Sequence, residues 1–252
     1  MFRSNRPARL KDLSLNRMIP NILTLFALCA GVTAIRYGLH EEWEKAIIAI
    51  VMAAVFDGLD GRIARLLRGT SKFGAELDSL SDFVSFGVTP ALLIYLWTMH
   101  NAGGLGWALV LLFPVCAALR LARFNTMAGT PEPLPPFVHR FFIGVPTPAG
   151  AGIVLLPIVI WLQYRWDWLR HPLVSSVFLV GVALLEISPF PTYSFKRVRV
   201  PHRYVLPVML LVGMFAAFLV TEPWTTLSVL GVLYLGSLPL SLRSFRRLRL
   251  LS

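Results

Sequence analysis

The sequence predicts an all-α protein, a polytopic membrane helix bundle of about eight transmembrane helices preceded by a short interfacial N-terminal helix. Hydrophobic residues make up 56% of the 252 residues, charged residues only 15%, and the mean hydropathy is +0.67. Soluble domains carry more charge and less apolar surface than this. The apolar residues also form long runs, and each run approaches the ~20 residues that cross a bilayer.

Eight apolar runs are predicted to cross the membrane, at residues 19–37, 45–68, 73–97, 105–121, 148–164, 173–188, 204–220 and 224–240. The first run has Pro20 in its opening turn, a position that tolerates proline because the missing N–H has no helical partner there. The second run is longer than a bilayer requires, so its last arginines are expected to emerge at the surface. The short fifth run is the least regular, since it contains proline and glycine. The chain leaves no room for a separate soluble domain.

Basic residues are distributed unevenly between alternate loops. Only Arg36, Lys45, Arg165 and Arg170 fall on one side of the predicted membrane, and the other 20 of the 24 lysines and arginines fall on the opposite side. Basic loops favour the cytoplasm, so both termini are predicted to be cytoplasmic, with the protein in a bacterial inner (cytoplasmic) membrane. Because the formal charge of +11 is spread over many loops, we expect anionic lipid headgroups and a phosphate-rich ligand as partners, and no nucleic acid.

Four aspartates interrupt apolar sequence between residues 57 and 82. Asp57 and Asp60 share one face of the second run, because they are three residues apart, and Asp78 and Asp82 share a face of the third at a spacing of four. The short link at 69–73, where Thr70 and Ser71 are candidate N-caps, would fold the two helices back on each other. The four carboxylates are therefore predicted to converge.

Facing carboxylates in an apolar surrounding repel one another unless cations lie between them. Oxygen ligands without histidine or cysteine favour hard ions, so two divalent cations, Mg²⁺ or Mn²⁺, are expected. Gly61, Ala64 and Gly74 leave room for a bulky ligand, and Arg65 can contact phosphate oxygens through its guanidinium group. These residues indicate phosphoryl transfer.

The spacing D-x2-D-G-x2-A-R-x8-G-x3-D-x3-D resembles the signature of the CDP-alcohol phosphatidyltransferase family. Its eight defined positions are Asp57, Asp60, Gly61, Ala64, Arg65, Gly74, Asp78 and Asp82. Four further runs are similar to the phosphatidylserine synthase branch of that family. They are Pro20-Asn21-x-Leu23-Thr24, Ser85-Phe86-Gly87, Arg120-Leu-Ala-Arg123-Phe124-Asn125 and the Phe-x-Gly-x-Pro-x-Pro run from Phe142.

The resemblance implies a membrane enzyme that makes phosphatidylserine and CMP from CDP-diacylglycerol and L-serine, and that forms a homodimer. Asp57, Asp60 and Asp78 are expected to hold the two ions. Asp82 would complete the shell of the second ion and accept the serine hydroxyl proton, so Asp78 and Asp82 are the expected catalytic residues. The cytidine nucleotide is expected to contact Gly61, Ala64, Arg65 and Gly74.

The acceptor contacts are less well defined. A cation is needed for the serine carboxylate, and the candidates for acceptor or phosphate binding are Arg120, Arg123, Asn125 and Lys196. Glu186, near the end of an apolar run, is expected to have a structural role and to pair with Arg203 or another cytoplasmic-end cation.

The domain organisation follows from these assignments. We expect a basic juxtamembrane segment at 1–17, a transmembrane catalytic domain at 18–242 and a basic C-terminal tail at 243–252.

Two alternative functions stay open. The acceptor could be glycerol 3-phosphate, inositol phosphate or choline, because the signature concerns the donor, or the acids could line the path of a divalent-cation transporter.

Overall fold

A computed structural model describes residues 15–67, 69–128, 141–188, 191–193 and 204–249. The predicted interfacial helix lies outside these ranges apart from its last residues, which form the start of the first helix. Nearly all of the described chain is helical, as the sequence predicted. The exception is one short antiparallel ribbon, which was not predicted.

The first half of the chain forms α1 (Leu15–Leu39), α2 (Trp43–Leu66), α3 (Lys72–Asp82), a π-helical segment (Phe83–Val88), α4 (Thr89–Trp97), a 3₁₀ turn (Met99–Ala102) and α5 (Gly103–Ala128). α1 and α2 form a tight antiparallel hairpin. α3, the π segment and α4 follow one another without a break, so together they occupy the third predicted span.

The second half forms β1 (Phe141–Ile143), α6 (Thr147–Val154), α7 (Leu156–Tyr164), a 3₁₀ turn (Asp167–Arg170), α8 (Pro172–Ile187), β2 (Pro191–Tyr193), α9 (Val205–Thr221) and α10 (Pro223–Arg249). β1 pairs with β2 in antiparallel register, with Phe141 opposite Tyr193 and Ile143 opposite Pro191. The ribbon therefore joins the segment before α6 to the segment after α8.

Each of the eight predicted spans coincides with a helix or with consecutive helices. Within the described ranges, four helices are long and apolar enough to cross a membrane, or five if α6 and α7 form one span bent by 41°. Pro157 lies at the start of α7, and its missing N–H and bulky ring account for the bend. α8 and α9 are shorter apolar helices, and α2 carries charged residues in its second half. Eight crossings therefore stay a prediction.

Alternate loops gather at opposite ends of the bundle. At one end, Arg165 Nη2 lies 3.3 Å from Glu44 Oε1, Thr98 donates to the Arg170 carbonyl, and the Arg170 guanidinium lies 5.3 Å from the Trp161 ring centre. The α1–α2 turn, the end of α4 and the α7–α8 turn thus meet there. The C-terminal ends of α2, α5 and α8 lie at the other end of the bundle.

The main apolar core takes buried residues from most of the helices, including α1, α6 and α10. Ile50 of α2, Trp97 of α4, Phe113 of α5, Ile158 of α7 and Leu179 of α8 are all buried in it. α9 has no buried residue and packs on the outside against α10. The core therefore fixes the N-terminal half of α2, and the second half of this helix carries polar residues described next.

Candidate active site

The link between α2 and α3 positions the two acid-bearing helices. The Gly69 N–H donates to the Ala64 carbonyl at 2.9 Å, which closes the end of α2. Ser71 caps α3 by accepting a hydrogen bond from the Gly74 N–H at 3.0 Å. The prediction of Ser71 as an N-cap is confirmed, and the cap sets the direction in which α3 leaves the link.

Three of the four predicted aspartates meet in one group. Asp57, Asp60 and Asp78 each offer a carboxylate oxygen, and these oxygens all lie within 4.8 Å of one another. Asp82 lies beside the group, with its carboxyl within hydrogen-bonding reach of Asp57. Its Oδ1 atom is buried and has no hydrogen-bond partner in the described part of the chain. The predicted convergence is thus present.

No basic side chain neutralises this group within the described residues. The two ion pairs found there, Lys45–Glu42 and Arg165–Glu44, both lie at the opposite end of the bundle. Asp60 is only 4% exposed, and a buried carboxylate without a counter-charge costs several kcal/mol. A set of close oxygen donors with no internal cation fits hard divalent metal ions.

α1 supplies a support for the group that sequence reasoning did not assign. The Thr24 hydroxyl donates to Asp60 Oδ2 at 2.6 Å, and Ser81 of α3 donates to the Thr24 carbonyl at 3.2 Å. Thr24 thereby joins α1 to both acid-bearing helices and orients one carboxylate. The only sequence signal was the run from Pro20 to Thr24, which gave no role to its individual residues.

A cleft opens beside the aspartates, with about 540 Å³ of empty space. Its lining includes all four predicted nucleotide-binding residues, Gly61, Ala64, Arg65 and Gly74, together with Asp60 and Asp78. Asn21 of α1 forms the far wall, and a Cβ atom at Gly74 would lie 2.9 Å from its Oδ1 atom. Glycine at position 74 therefore keeps the cleft open where α1 approaches α3.

Hydroxyl groups hold α3 and the π segment against α1. Ser85 donates to the Ala27 carbonyl at 3.3 Å, and Thr89 donates to the Gly31 carbonyl at 3.2 Å. Together with Ser81, these residues give three hydroxyl-to-carbonyl hydrogen bonds to α1, spaced four residues apart. The π segment begins directly after Asp82, and π-helical turns occur frequently at functional sites.

The predicted acceptor residues fall into different places. Asn125 exchanges hydrogen bonds with Ser79 of α3, next to Asp78. Arg120 donates to the Thr147 hydroxyl at 2.8 Å, whereas the half-buried Arg123 donates to the Ile187 carbonyl at 3.2 Å. Arg123 is thus bound to the end of α8 and not to the cleft. Lys196 lies outside the described residues.

Glu186 is fully buried, with an exposed fraction of 0%. The cation that interacts with its charge is Arg120 of α5. Arg203, the other predicted partner, lies outside the described residues. Sequence reasoning missed the proximity of Arg120 and Glu186, because the two residues are far apart in the chain.

An acid cluster and an open cleft within a membrane helix bundle define a membrane-embedded enzyme of the phosphotransferase class. A family model described as CDP-alcohol phosphatidyltransferase matches residues 17–188, and one described as CDP-alcohol phosphatidyltransferase 2 matches residues 203–239. The chain belongs to the CDP-alcohol phosphatidyltransferase family.

Curated relatives carry the name CDP-diacylglycerol–serine O-phosphatidyltransferase. The chain is 37% identical to that of Mycobacterium leprae over 245 residues, which cover 96% of this chain and 80% of the relative. It is 35% identical to that of Helicobacter pylori over 220 residues, 86% of this chain and 88% of the relative. It is 30% identical to that of Bacillus subtilis over 180 residues, 71% of this chain and 92% of the relative.

Proposed function

We propose that this protein transfers the phosphatidyl group of CDP-diacylglycerol to the hydroxyl of L-serine, giving phosphatidylserine and CMP. The observation that supports it most directly is the group of Asp57, Asp60 and Asp78 beside the cleft, without a basic partner in the described chain. The proposal of serine as the acceptor is supported by the names of the relatives.

The aspartates are proposed to hold two divalent cations, Mg²⁺ or Mn²⁺. When bound, such ions neutralise charge on a pyrophosphate and polarise the attacked phosphorus. Asp57, Asp60 and Asp78 are proposed to supply most of the ligands, and Asp82, beside Asp57, is proposed to complete the ligand shell of the second ion. The Thr24 hydroxyl holds Asp60 in the orientation that this requires.

Asp82 is also the proposed general base. A serine hydroxyl is a weak nucleophile at neutral pH, and a carboxylate that takes its proton contributes ~10²–10⁴-fold to the rate. The serine oxygen forms a bond to phosphorus while the bond from that phosphorus to CMP breaks, and the proton passes to Asp82. Direct attack predicts inversion of configuration at phosphorus.

The cleft is proposed to bind the cytidine nucleotide. Gly61 and Ala64 present little side chain on α2, so the nucleotide approaches the backbone closely, and Gly74 keeps the opposite wall open. The Arg65 guanidinium binds phosphate oxygens. Arg120 and Asn125 of α5 are proposed to bind the acceptor, and the same proposal gives Arg123 and Lys196 as further candidates for acceptor or phosphate binding.

Acceptor identity is tested by measuring CMP release. Purified protein is incubated with labelled CDP-diacylglycerol and, separately, with serine, glycerol 3-phosphate, inositol phosphate or choline. Release of CMP with serine alone is expected, with the label in phosphatidylserine. Release with another acceptor would refute serine specificity, and metal flux into sealed vesicles without CMP release would favour a transporter.

We further propose an inner-membrane protein of eight crossings with both termini and the cleft facing the cytoplasm. The gathering of alternate loops at opposite ends supports this arrangement. Reporter fusions at the two termini should both give cytoplasmic signals.

The assembly is proposed to be a homodimer. Cross-linking in native membranes should give a species of twice the chain mass, whereas a monomer throughout would refute the homodimer.

A further inference from the structure

A second polar cluster lies inside the bundle, apart from the aspartates. Glu186, in the last turn of α8, is fully buried, and neither of its carboxylate oxygens has a hydrogen-bond partner in the described chain. Membrane helices rarely carry an acid that faces the bundle interior without a partner or a function. The unpartnered carboxylate therefore indicates a ligand.

Three further elements direct polar groups toward this region. Arg120 of α5 bonds to Thr147 of α6, yet its Nε atom is buried and lacks a partner among the described residues. The Tyr234 hydroxyl of α10 is buried and also unpartnered within the same ranges. The charge of Arg120 interacts with Glu186, Tyr234 and Asp82, so Arg120 is linked electrostatically to the proposed general base.

Arg120 and Glu186 interact through their charges without a direct contact. Neither Glu186 oxygen accepts a hydrogen bond from the guanidinium, and the two form no ion pair. Two opposite charges in an apolar interior normally close into a bidentate pair. Because the two groups do not bond to each other, a guanidinium and a carboxyl group are both available to a ligand.

Packing holds the Glu186 side chain in this position. A Cβ atom at Gly150 of α6 would lie 2.5 Å from Glu186 Oε1. Gly144 has a φ angle of +79° and lies so close to the Glu186 backbone carbonyl that a Cβ atom would not fit there. α6 therefore packs closely against one side of the Glu186 carboxyl group.

We propose that Arg120 and Glu186 form the recognition site for a small zwitterion, with the carboxylate of the acceptor on Arg120 and its ammonium group on Glu186. This inference rests on the proposed function and assigns the selection of the acceptor to this pair. A bound amino acid satisfies both groups together, and the proposal directs the hydroxyl of the acceptor toward Asp82, whose charge interacts with Arg120. Acceptors without an ammonium group leave Glu186 unpaired, which carries a large penalty in a desolvated site.

The decisive variant is Glu186→Gln, which keeps the shape and removes the charge. CMP release is measured over a range of serine concentrations at saturating CDP-diacylglycerol, and then over a range of the donor. We expect the serine KM to rise by about tenfold or more, since a hydrogen bond to a charged group contributes ~1.5–3 kcal/mol. The donor KM should stay within about twofold. Glycerate has a hydroxyl in place of the ammonium of serine. The ratio of kcat/KM for serine to kcat/KM for glycerate should fall by about the same factor as the serine KM rises.

Ser175→Ala is the matched control, because Ser175 is a second buried and unpartnered polar residue of α8 among those described. Its serine KM should equal that of the wild type. A competition experiment on the unmodified protein covers the case in which Glu186→Gln does not fold. The competitors in this experiment are 3-hydroxypropionate, which lacks the ammonium, and ethanolamine, which lacks the carboxylate. Each should compete with serine at least tenfold more weakly than a hydroxy amino acid does.

The two proposals fail in different ways. Absence of CMP release from the wild type with serine would refute the proposed function. Normal turnover of serine by the wild type, with an unchanged serine KM in Glu186→Gln or equal competition by the two analogues, would refute only the role of this pair. Equal shifts of the donor and serine KM would also refute it, because they would indicate a general loss of structure.

Discussion

Thr24→Val tests whether α1 supports the proposed metal site. The substitution keeps the shape of the side chain and removes the hydroxyl that donates to Asp60 Oδ2 at 2.6 Å. A hydrogen bond to a charged acceptor contributes ~1.5–3 kcal/mol, which corresponds to about 10- to 150-fold in an equilibrium constant at ~1.4 kcal/mol per tenfold. Loss of a group that orients a metal ligand typically lowers metal affinity by ~10–100-fold.

The measurement is CMP release as a function of Mg²⁺ or Mn²⁺ concentration at saturating substrates. In Thr24→Val, the half-saturating metal concentration should rise by about 10- to 100-fold, with most of the maximal rate recovered at high metal. Thr24→Ser should restore the wild-type value. Thr33→Val is the matched control on α1, since the Thr33 hydroxyl bonds only to the Cys29 carbonyl of its own helix. A metal dependence identical to the wild type in Thr24→Val would refute the supporting role.

Three further substitutions test other parts of the site. Asp78→Asn should reduce CMP release by at least ~10²-fold, since it removes a charged ligand, whereas Glu76→Gln at the exposed acid of α3 should leave turnover unchanged. Gly74→Val should raise the KM for CDP-diacylglycerol about tenfold, because its side chain enters the cleft toward Asn21; Gly104→Ala, in open space, is the control. Ser71→Ala should cost about 1 kcal/mol in thermal unfolding through loss of the α3 cap.

Each of these three predictions would be refuted by one specific result. Wild-type turnover in Asp78→Asn would refute the metal scheme. An unchanged donor KM in Gly74→Val would mean that the nucleotide binds elsewhere. A stability loss from Ser71→Ala no larger than that from an exposed alanine substitution would show that the α2–α3 link is held by other contacts.

The acid cluster could be predicted because its determinants are local. Asp57 and Asp60 lie on one helix, Asp78 and Asp82 on the next, and only a short link separates them. Helical periodicity defines their faces, and the cost of unpaired charge in an apolar surrounding makes convergence the favourable arrangement. The approximate helix positions were predictable for a similar reason, since long apolar runs indicate spans.

Features that depend on distant contacts could not be predicted. A threonine in an apolar run, such as Thr24, has no periodic signal to distinguish a metal-site support from a core residue. Arg120 and Glu186 approach each other only after α5 and α8 have packed. The β1–β2 ribbon is too short for an alternation pattern. The eight crossings predicted from hydropathy stay a prediction, because α8 and α9 are short apolar helices.

The order of the helices along the chain has a consequence for biogenesis. Every aspartate of the cluster, the supporting Thr24 and the cleft glycines belong to α1, α2 and α3, which leave the ribosome first. Tyr234 belongs to α10, which is synthesised after them. During translation, the nascent chain therefore completes the proposed metal site before α10 can contribute to the proposed acceptor site. A chain released before α10 would retain the proposed cation ligands and nucleotide cleft and would lack Tyr234 of the proposed acceptor site.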